Sequence, residues 1–83
     1  RGSSDLEIDI EQIRVSENAF CAGKSIEESG LRQKFGVILL AIMRAGGTME
    51  FNPSGKAPIE AGNVLIAMGE RPMLKRMEEE VED

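Results

Sequence analysis

The chain has 83 residues, of which 41% are hydrophobic and only 4% aromatic, and its formal net charge is −5 at pH 7. Chains of this length form one small domain with a thin core, and an acidic balance excludes the basic surfaces that bind nucleic acid or anionic membranes. With no histidine and one cysteine, Cys21, the sequence excludes an internal disulfide and a Ser-His or Cys-His nucleophile pair, and it supplies a metal site poorly. We therefore expect neither an enzyme nor a metal-binding protein.

The hydrophobic residues are mostly aliphatic, and five methionines supply adaptable filler for a core. The longest apolar run, Val37–Met43, is far shorter than the roughly 20 residues that span a bilayer as a helix. A thin core combined with this apolar excess predicts that a second subunit covers part of the surface.

The N-terminal part of the chain alternates imperfectly between apolar and acidic side chains. Period-two alternation is typical of a half-buried strand, and we place its firm part at Glu11–Val15. Residues 1–10 are interpreted as a tag or linker remnant, Arg1–Ser4, followed by a lead-in to the strand. Residues 11–83 then form the domain.

A helix start is encoded by Ser25–Glu28, which fits a capping box in which Ser25 and Glu28 exchange side-chain and backbone hydrogen bonds. Gly30 interrupts the helical segment, which continues as a second short turn or a shifted helix. Gly36 fits the residue just beyond a helix end. The side chains predicted to face the core are Ile26, Leu31 and Phe35.

The central part of the chain reads as strands joined by glycine turns. Val37–Met43 is apolar without alternation, which predicts a strand buried on both faces. Ala45–Gly47 is a hairpin signal, so Thr48–Phe51 should return antiparallel. A tight turn at Gly62–Asn63 precedes a second buried strand at Val64–Met68.

The last element is a predicted helix that begins near Arg71 and Pro72, since proline is favoured in the first helical turn. Its apolar stripe consists of Leu74, Met77 and Val81. The fold class is therefore α+β, a small and mainly antiparallel sheet with two helical segments packed on it, in the order β-α-β-β-β-α.

Two residues carry alternatives that the sequence leaves open. Arg44 follows an apolar strand, and its guanidinium either pairs with an acid such as Glu50 or contacts an anion such as phosphate. Cys21 is interpreted as a small buried hydrophobe, with a reactive thiol as the alternative.

A spaced set of motifs resembles the C-terminal RCK domain, also called the TrkA-C domain, over about Gln12 to Met77. The matching segments are GKSI at 23–26, LR at 31–32, GVILLAIMR at 36–44, FNP at 51–53 and IEAGNVLIAMG at 59–69. Asn63 departs from the family's usual aspartate, which puts in doubt any role that needs a carboxylate there. Asparagine also caps turns, so the fold should be kept.

The resemblance implies a cytosolic regulatory domain on the inner side of the membrane. It would follow a nucleotide-binding domain in a potassium channel or K+ uptake system, form a homodimer, and make no contact with nucleic acid or lipid. No cofactor is implied, but cyclic di-AMP is a possible effector at the dimer interface. By position in the family pattern, the candidate ligand-binding residues are Ile38, Leu39, Arg44, Ala45, Asn52 and Pro53. The alternatives are a ligand-free dimerisation module, or the same domain on an anion symporter or proton antiporter.

Overall fold

A computed structural model describes residues 7–82 of the chain. Its elements in chain order are β1 (Ile8–Arg14), β2 (Lys24–Ser25), α1 (Ile26–Ser29), α2 (Leu31–Phe35), β3 (Ile38–Met43), β4 (Met49–Phe51), β5 (Pro58–Ile59), β6 (Val64–Glu70) and α3 (Arg71–Val81). The predicted order of the long elements is confirmed. The short strands β2 and β5 were not predicted.

The main sheet has four strands in the order β1-β6-β3-β4, and every neighbouring pair is antiparallel. Strands β2 and β5 form a separate antiparallel pair of two residues each. The α+β fold class with a mainly antiparallel sheet is therefore confirmed. Because β6 is paired on both sides, it is the strand that holds the N-terminal strand and the β3–β4 hairpin together.

The first strand begins earlier than predicted. Residues Ile8 to Ile10 pair with Glu70 to Met68 and continue the ladder of β1, although the firm strand was placed from Glu11 onward. The reason is that β6 extends through Gly69 to Glu70 and so offers partners to the earlier residues. Residues 1–6 of the predicted linker and lead-in lie outside the described residues.

Local signals decide where the helices begin and end. The Ser25 hydroxyl accepts the Glu28 N–H at 3.1 Å, and the Glu28 carboxylate accepts the Ser25 N–H at 3.1 Å, so the predicted capping box is present. Gly30 (φ 68°) and Gly36 (φ 61°) adopt left-handed conformations that end α1 and α2, respectively. A residue with a Cβ would be strained at either position.

The core lies between the helices and one face of the sheet, which we call the inner face. Leu74, Met77 and Val81 of α3 are fully buried, as predicted, and pack in one cluster with inner-face side chains. The cluster also contains Ile26, Leu31 and Phe35, the predicted core residues of the first helical segment, and Cys21. Burial raises the pKa of the Cys21 thiol above its ordinary value, which favours the packing interpretation of this cysteine.

Strand β3 is not buried on both faces, contrary to the prediction. Leu39 and Ile42 point to the core, whereas the side chain of Ile38 is 56% exposed on the opposite, outer face. A β-bulge between Leu39 and Ala41 places two residues opposite Ile66 and changes the inside-outside alternation. The run shows no period-two pattern because the residues that β3 directs to the outer face are apolar as well.

Candidate functional site

The outer face of the sheet is apolar and uncovered within the described chain. Directly paired residues of antiparallel strands lie side by side on one face. Ile10 and Ile38 both pair with Met68, while Ala41 pairs with Phe51. The large apolar side chains most exposed in the described chain are Ile8 (52%), Ile10 (52%), Ile38 (56%), Met49 (36%) and Phe51 (75%).

These five exposed side chains define what we call the outer apolar face. Its members come from β1, β3 and β4, and they are connected across the sheet by half-buried side chains such as Ile66 and Met68. A contiguous exposed apolar surface is typical of a protein-protein contact. The arrangement supplies the surface that the apolar excess of the sequence led us to expect.

Arg44 lies at the end of β3 and joins three parts of the chain. Its Nη2 donates to Glu50 Oε1 at 2.7 Å, and its Nη1 donates to the Pro58 carbonyl at 2.6 Å and to Asn63 Oδ1 at 2.9 Å. The pairing with Glu50 was one of the two interpretations of this arginine. The side chain of Arg44 is 22% exposed.

Asn63 is a structural residue that the sequence did not identify as a partner of Arg44. It is 2% exposed, and its Oδ1 accepts both the Arg44 Nη1 bond and the Glu60 N–H at 3.0 Å. An amide oxygen fulfils both tasks, so the departure from the family's aspartate does not disrupt the turn. The sequence signal for this structural role is the position of Asn63 between a glycine and an apolar strand. In the structure that glycine, Gly62, has a φ of 90°.

Asn52 and Pro53 lie beside the bulge of β3. Asn52 adopts a positive φ of 47°, and its N–H donates to the Leu40 carbonyl at 2.8 Å. Asn52 is exposed. Pro53 is buried, and its carbonyl accepts a hydrogen bond from Arg32 Nη2 at 3.0 Å. Asparagine tolerates the left-handed region better than most residues, so the conformation of this turn suits its sequence.

The six candidates from the sequence thus separate into two groups. Ile38, Leu39, Asn52 and Pro53 lie around the bulge, whereas Arg44 and Ala45 lie at the hairpin end of β3. Six residues of strand separate Ile38 from Arg44, or roughly 20 Å. Ile38, Ala45 and Asn52 are exposed, Arg44 is half-buried, and Leu39 and Pro53 are buried.

A concave feature lies on the side of the sheet that carries α3. It is a small cleft of about 210 Å³ between β1 and α3, lined by Glu11, Arg71, Leu74, Lys75 and Glu78. None of the sequence candidates lines it. Its two cations and two anions largely neutralise each other, so the cleft has no marked preference for one ligand charge.

Residues 7–82 contain no group of three or more His, Cys, Asp or Glu residues placed to hold a metal ion. In the same part of the chain, no helix has the length and apolar character needed to cross a membrane.

The described residues thus form an antiparallel sheet with helices on one face and exposed apolar side chains on the other. The TrkA-C domain model matches residues 10–82, so the chain belongs to the TrkA-C, or RCK_C, family. Members of this family are regulatory domains of transport systems. The resemblance found from the sequence motifs is confirmed.

Two of the similar proteins are named for potassium transport. KhtT, a K+/H+ antiporter subunit of Bacillus subtilis, is 31% identical over 68 residues, which make up 82% of this chain and 41% of KhtT. The chain therefore spans about two fifths of that relative. The RCK C domain of the potassium transport protein KtrA, solved with cyclic di-AMP, gives a TM-score of 0.79 at 29% identity, covering 90% of this chain and 85% of that chain.

The S. agalactiae protein BusR provides a third comparison. Its RCK_C domain dimer in complex with cyclic di-AMP gives a TM-score of 0.79 at 27% identity, with 89% of this chain and 90% of that chain covered. BusR has also been solved with promoter DNA, and there the match covers 86% of this chain but 34% of the BusR chain. The DNA complex thus concerns a protein much longer than this domain.

Proposed function

We propose that the chain is a cytosolic dimerisation and ligand-sensing domain that regulates a potassium channel or K+ uptake system, with cyclic di-AMP as effector at the dimer interface. The outer apolar face is the observation that carries this proposal. A surface with Ile10 and Ile38 more than half exposed favours a second copy, since burying them removes apolar area from water. The BusR RCK_C domain, solved as a dimer with cyclic di-AMP, supports dimerisation of this domain.

The effector site is proposed where the six candidates lie. Ile38 offers an aliphatic surface for a purine, while Asn52 and Arg44 offer donors for base edges or phosphate. Because Ile38 and Arg44 lie at opposite ends of β3, we infer that a two-fold dimer combines residues from both copies. Leu39 and Pro53 would support this site from the interior, because their side chains pack inside their own protomer.

The complete system is proposed to place the domain after a nucleotide-binding domain, on the cytoplasmic side of the membrane and without contact to lipid or nucleic acid. The chain's net charge of −5 supports the absence of nucleic acid from this list. The likeness to KhtT favours a second candidate, in which the same domain regulates a proton-coupled antiporter. A ligand-free dimerisation module is the remaining alternative.

Calorimetry with cyclic di-AMP, together with sedimentation of the domain, tests the proposal. We expect a dimer at high micromolar concentration and saturable heat for cyclic di-AMP, but not for cyclic di-GMP, which has the same phosphates and different base edges. Asn52→Ala should weaken binding about tenfold, the effect of one hydrogen bond of roughly 1.4 kcal/mol. Gln33→Ala, an exposed change on α2, is the matched control.

A dimer without heat or a change in melting temperature would identify the ligand-free module. A strict monomer under the same conditions would contradict the dimerisation part of the proposal.

A further inference from the structure

The guanidinium of Arg44 is held from two sides by different kinds of acceptor. Both N–H groups of Nη1 are used by neutral oxygens, the Pro58 carbonyl at 2.6 Å and Asn63 Oδ1 at 2.9 Å. Nη2 donates instead to the carboxylate of Glu50 at 2.7 Å, which also forms an ion pair with it. The neutral contacts fix the position of Arg44, whereas the Glu50 contact neutralises its charge.

The remaining donors of Arg44 lie on one edge of the guanidinium. Within residues 7–82, Nε–H and the second N–H of Nη2 make no hydrogen bond. A phosphate that uses this edge in the favoured two-pronged geometry shares Nη2 with Glu50. Two acceptors of one nitrogen lie within about 6 Å of each other, so the phosphate and the carboxylate would repel.

The geometry points to Glu50 as an affinity-setting residue of the proposed effector site, whose carboxylate occupies Arg44 in the free domain and opposes a bound phosphodiester. This inference rests on the proposed function, in which Arg44 contacts the effector. The side chain of Glu50 is 43% exposed, so its carboxylate can turn into solvent when a phosphate binds the free edge of Arg44. Arg44 keeps its place meanwhile, because Pro58 and Asn63 continue to hold Nη1.

The position of Glu50 also couples ligand binding to the hairpin. Glu50 is the middle residue of β4, a three-residue strand at the edge of the sheet that pairs with β3 alone. Its neighbours Met49 and Phe51 belong to the outer apolar face. Glu50 pairs with the buried Ile42, so its side chain lies on the opposite side of β4 from that face. When Glu50 turns away from Arg44, one of the contacts that hold β4 is lost.

Isothermal titration of cyclic di-AMP into the Glu50→Gln domain tests this inference. Glutamine keeps an acceptor for Nη2 but removes the charge, so affinity should rise roughly fourfold, the factor expected for one like charge about 5 Å away in water. Glu79→Gln on α3 makes the same change in net charge at an exposed position away from Arg44 and should leave affinity unchanged. Equal melting temperatures for both variants would show that the fold is preserved.

Arg44→Lys separates the failure of this inference from failure of the proposed function. If the unaltered domain binds and Arg44→Lys binds at least tenfold more weakly, Arg44 belongs to the site, as the inference requires. Unchanged or weaker binding by Glu50→Gln would then overturn the role of Glu50 alone. Unchanged binding by Arg44→Lys would also overturn the role of Glu50, but it would leave the proposed binding of the effector standing.

Absence of binding by every variant would overturn the proposed function and this inference together. Binding by Glu50→Gln but not by the unaltered domain would support both. The Nε–H signal of Arg44 in NMR spectra provides a readout that a purely structural role of Glu50 would not move. It should shift on addition of cyclic di-AMP in both the unaltered and the Glu50→Gln domains.

Discussion

The two faces of the four-stranded sheet carry similar side chains and have opposite surroundings. On the inner face Ile13, Leu65 and Ala67 are 0% exposed beneath α3, whereas on the outer face Ile10 and Ile38 are 52% and 56% exposed. The same strands supply both sets, because successive residues point to opposite sides.

The contrast shows which contacts stabilise one chain and which are left for a partner. A sheet that is apolar on both faces is normally covered on both, whereas an antiparallel sheet with one free face is usually polar on that face. Here only the inner face is covered by the described chain, and the outer face is apolar nonetheless. The inner face should therefore determine the stability of the protomer, and the outer face its association.

The largest effect should follow from an inner-face truncation. Leu65→Ala should lower the free energy of unfolding by about 2–5 kcal/mol, since Leu65 is fully buried in the core cluster. Urea denaturation at a concentration where the chain is monomeric measures this change. Ile66→Ala, the next residue on the outer face, is the control and should cost less, because Ile66 is only half-buried. Equal losses would contradict the division between the faces.

An outer-face charge should separate association from folding. Ile38→Glu should weaken the proposed dimer by at least about 3 kcal/mol, because a two-fold interface contains the substitution twice. Sedimentation equilibrium measures the effect, and the circular dichroism spectrum should not change. Gln33→Glu adds the same charge on exposed α2 and should leave the dimer intact. A monomer that also unfolds would show that the outer face supports the protomer itself.

The smallest effect concerns an ion pair at the rim of the inner face. Lys34 Nζ lies 2.8 Å from Glu80 Oε1 and joins α2 to α3. Its hydrogen bond, reinforced by charge attraction, lowers the pKa of Glu80 below the ordinary 4.5. Because the folded-state pKa is lowered, the stabilisation is present above the unfolded-state value and is lost as pH falls through the folded-state value.

Lys34→Met should therefore return the pKa of Glu80 toward its ordinary value, as measured by NMR titration of the side-chain carboxyl carbon. Lys75→Met, on the exposed side of α3, should leave that titration unchanged. An unchanged Glu80 titration in Lys34→Met would show that another group lowers its pKa. The loss of stability near neutral pH should be slight, since pairs this exposed contribute little.

Local sequence signals predicted much of the inner architecture. The capping box at Ser25, the left-handed glycine at Gly36 and the apolar stripe of α3 each depend on residues within one or two turns. The pairing of Arg44 with Glu50 was also foreseeable, because a short hairpin brings both residues together. Membership of the TrkA-C family followed from spaced motifs rather than from any one element.

Contacts between distant segments were not predictable from local pattern. Asn63 accepts a hydrogen bond from Arg44 only because β6 pairs with β3. Strands β2 and β5 pair although more than thirty residues of chain separate them. The exposure of Ile38 depends on a bulge that has no local sequence signature. The six candidate site residues came from the family pattern, and their ligand contacts stay a prediction.

The bulge at Leu40 also determines how the chain tolerates changes in length. Upstream of it Leu39 faces the core and Ile38 faces outward, while downstream Ile42 faces the core. If β3 kept Leu40 but paired regularly, Leu40 would take the place opposite Ala67, Leu39 would turn outward and Ile38 would turn into the core. Loss of Leu40, in contrast, would leave Leu39 opposite Ala67 and Ala41 opposite Ile66, and so keep both faces. The bulge thus absorbs one extra residue without exchanging the two faces of the sheet.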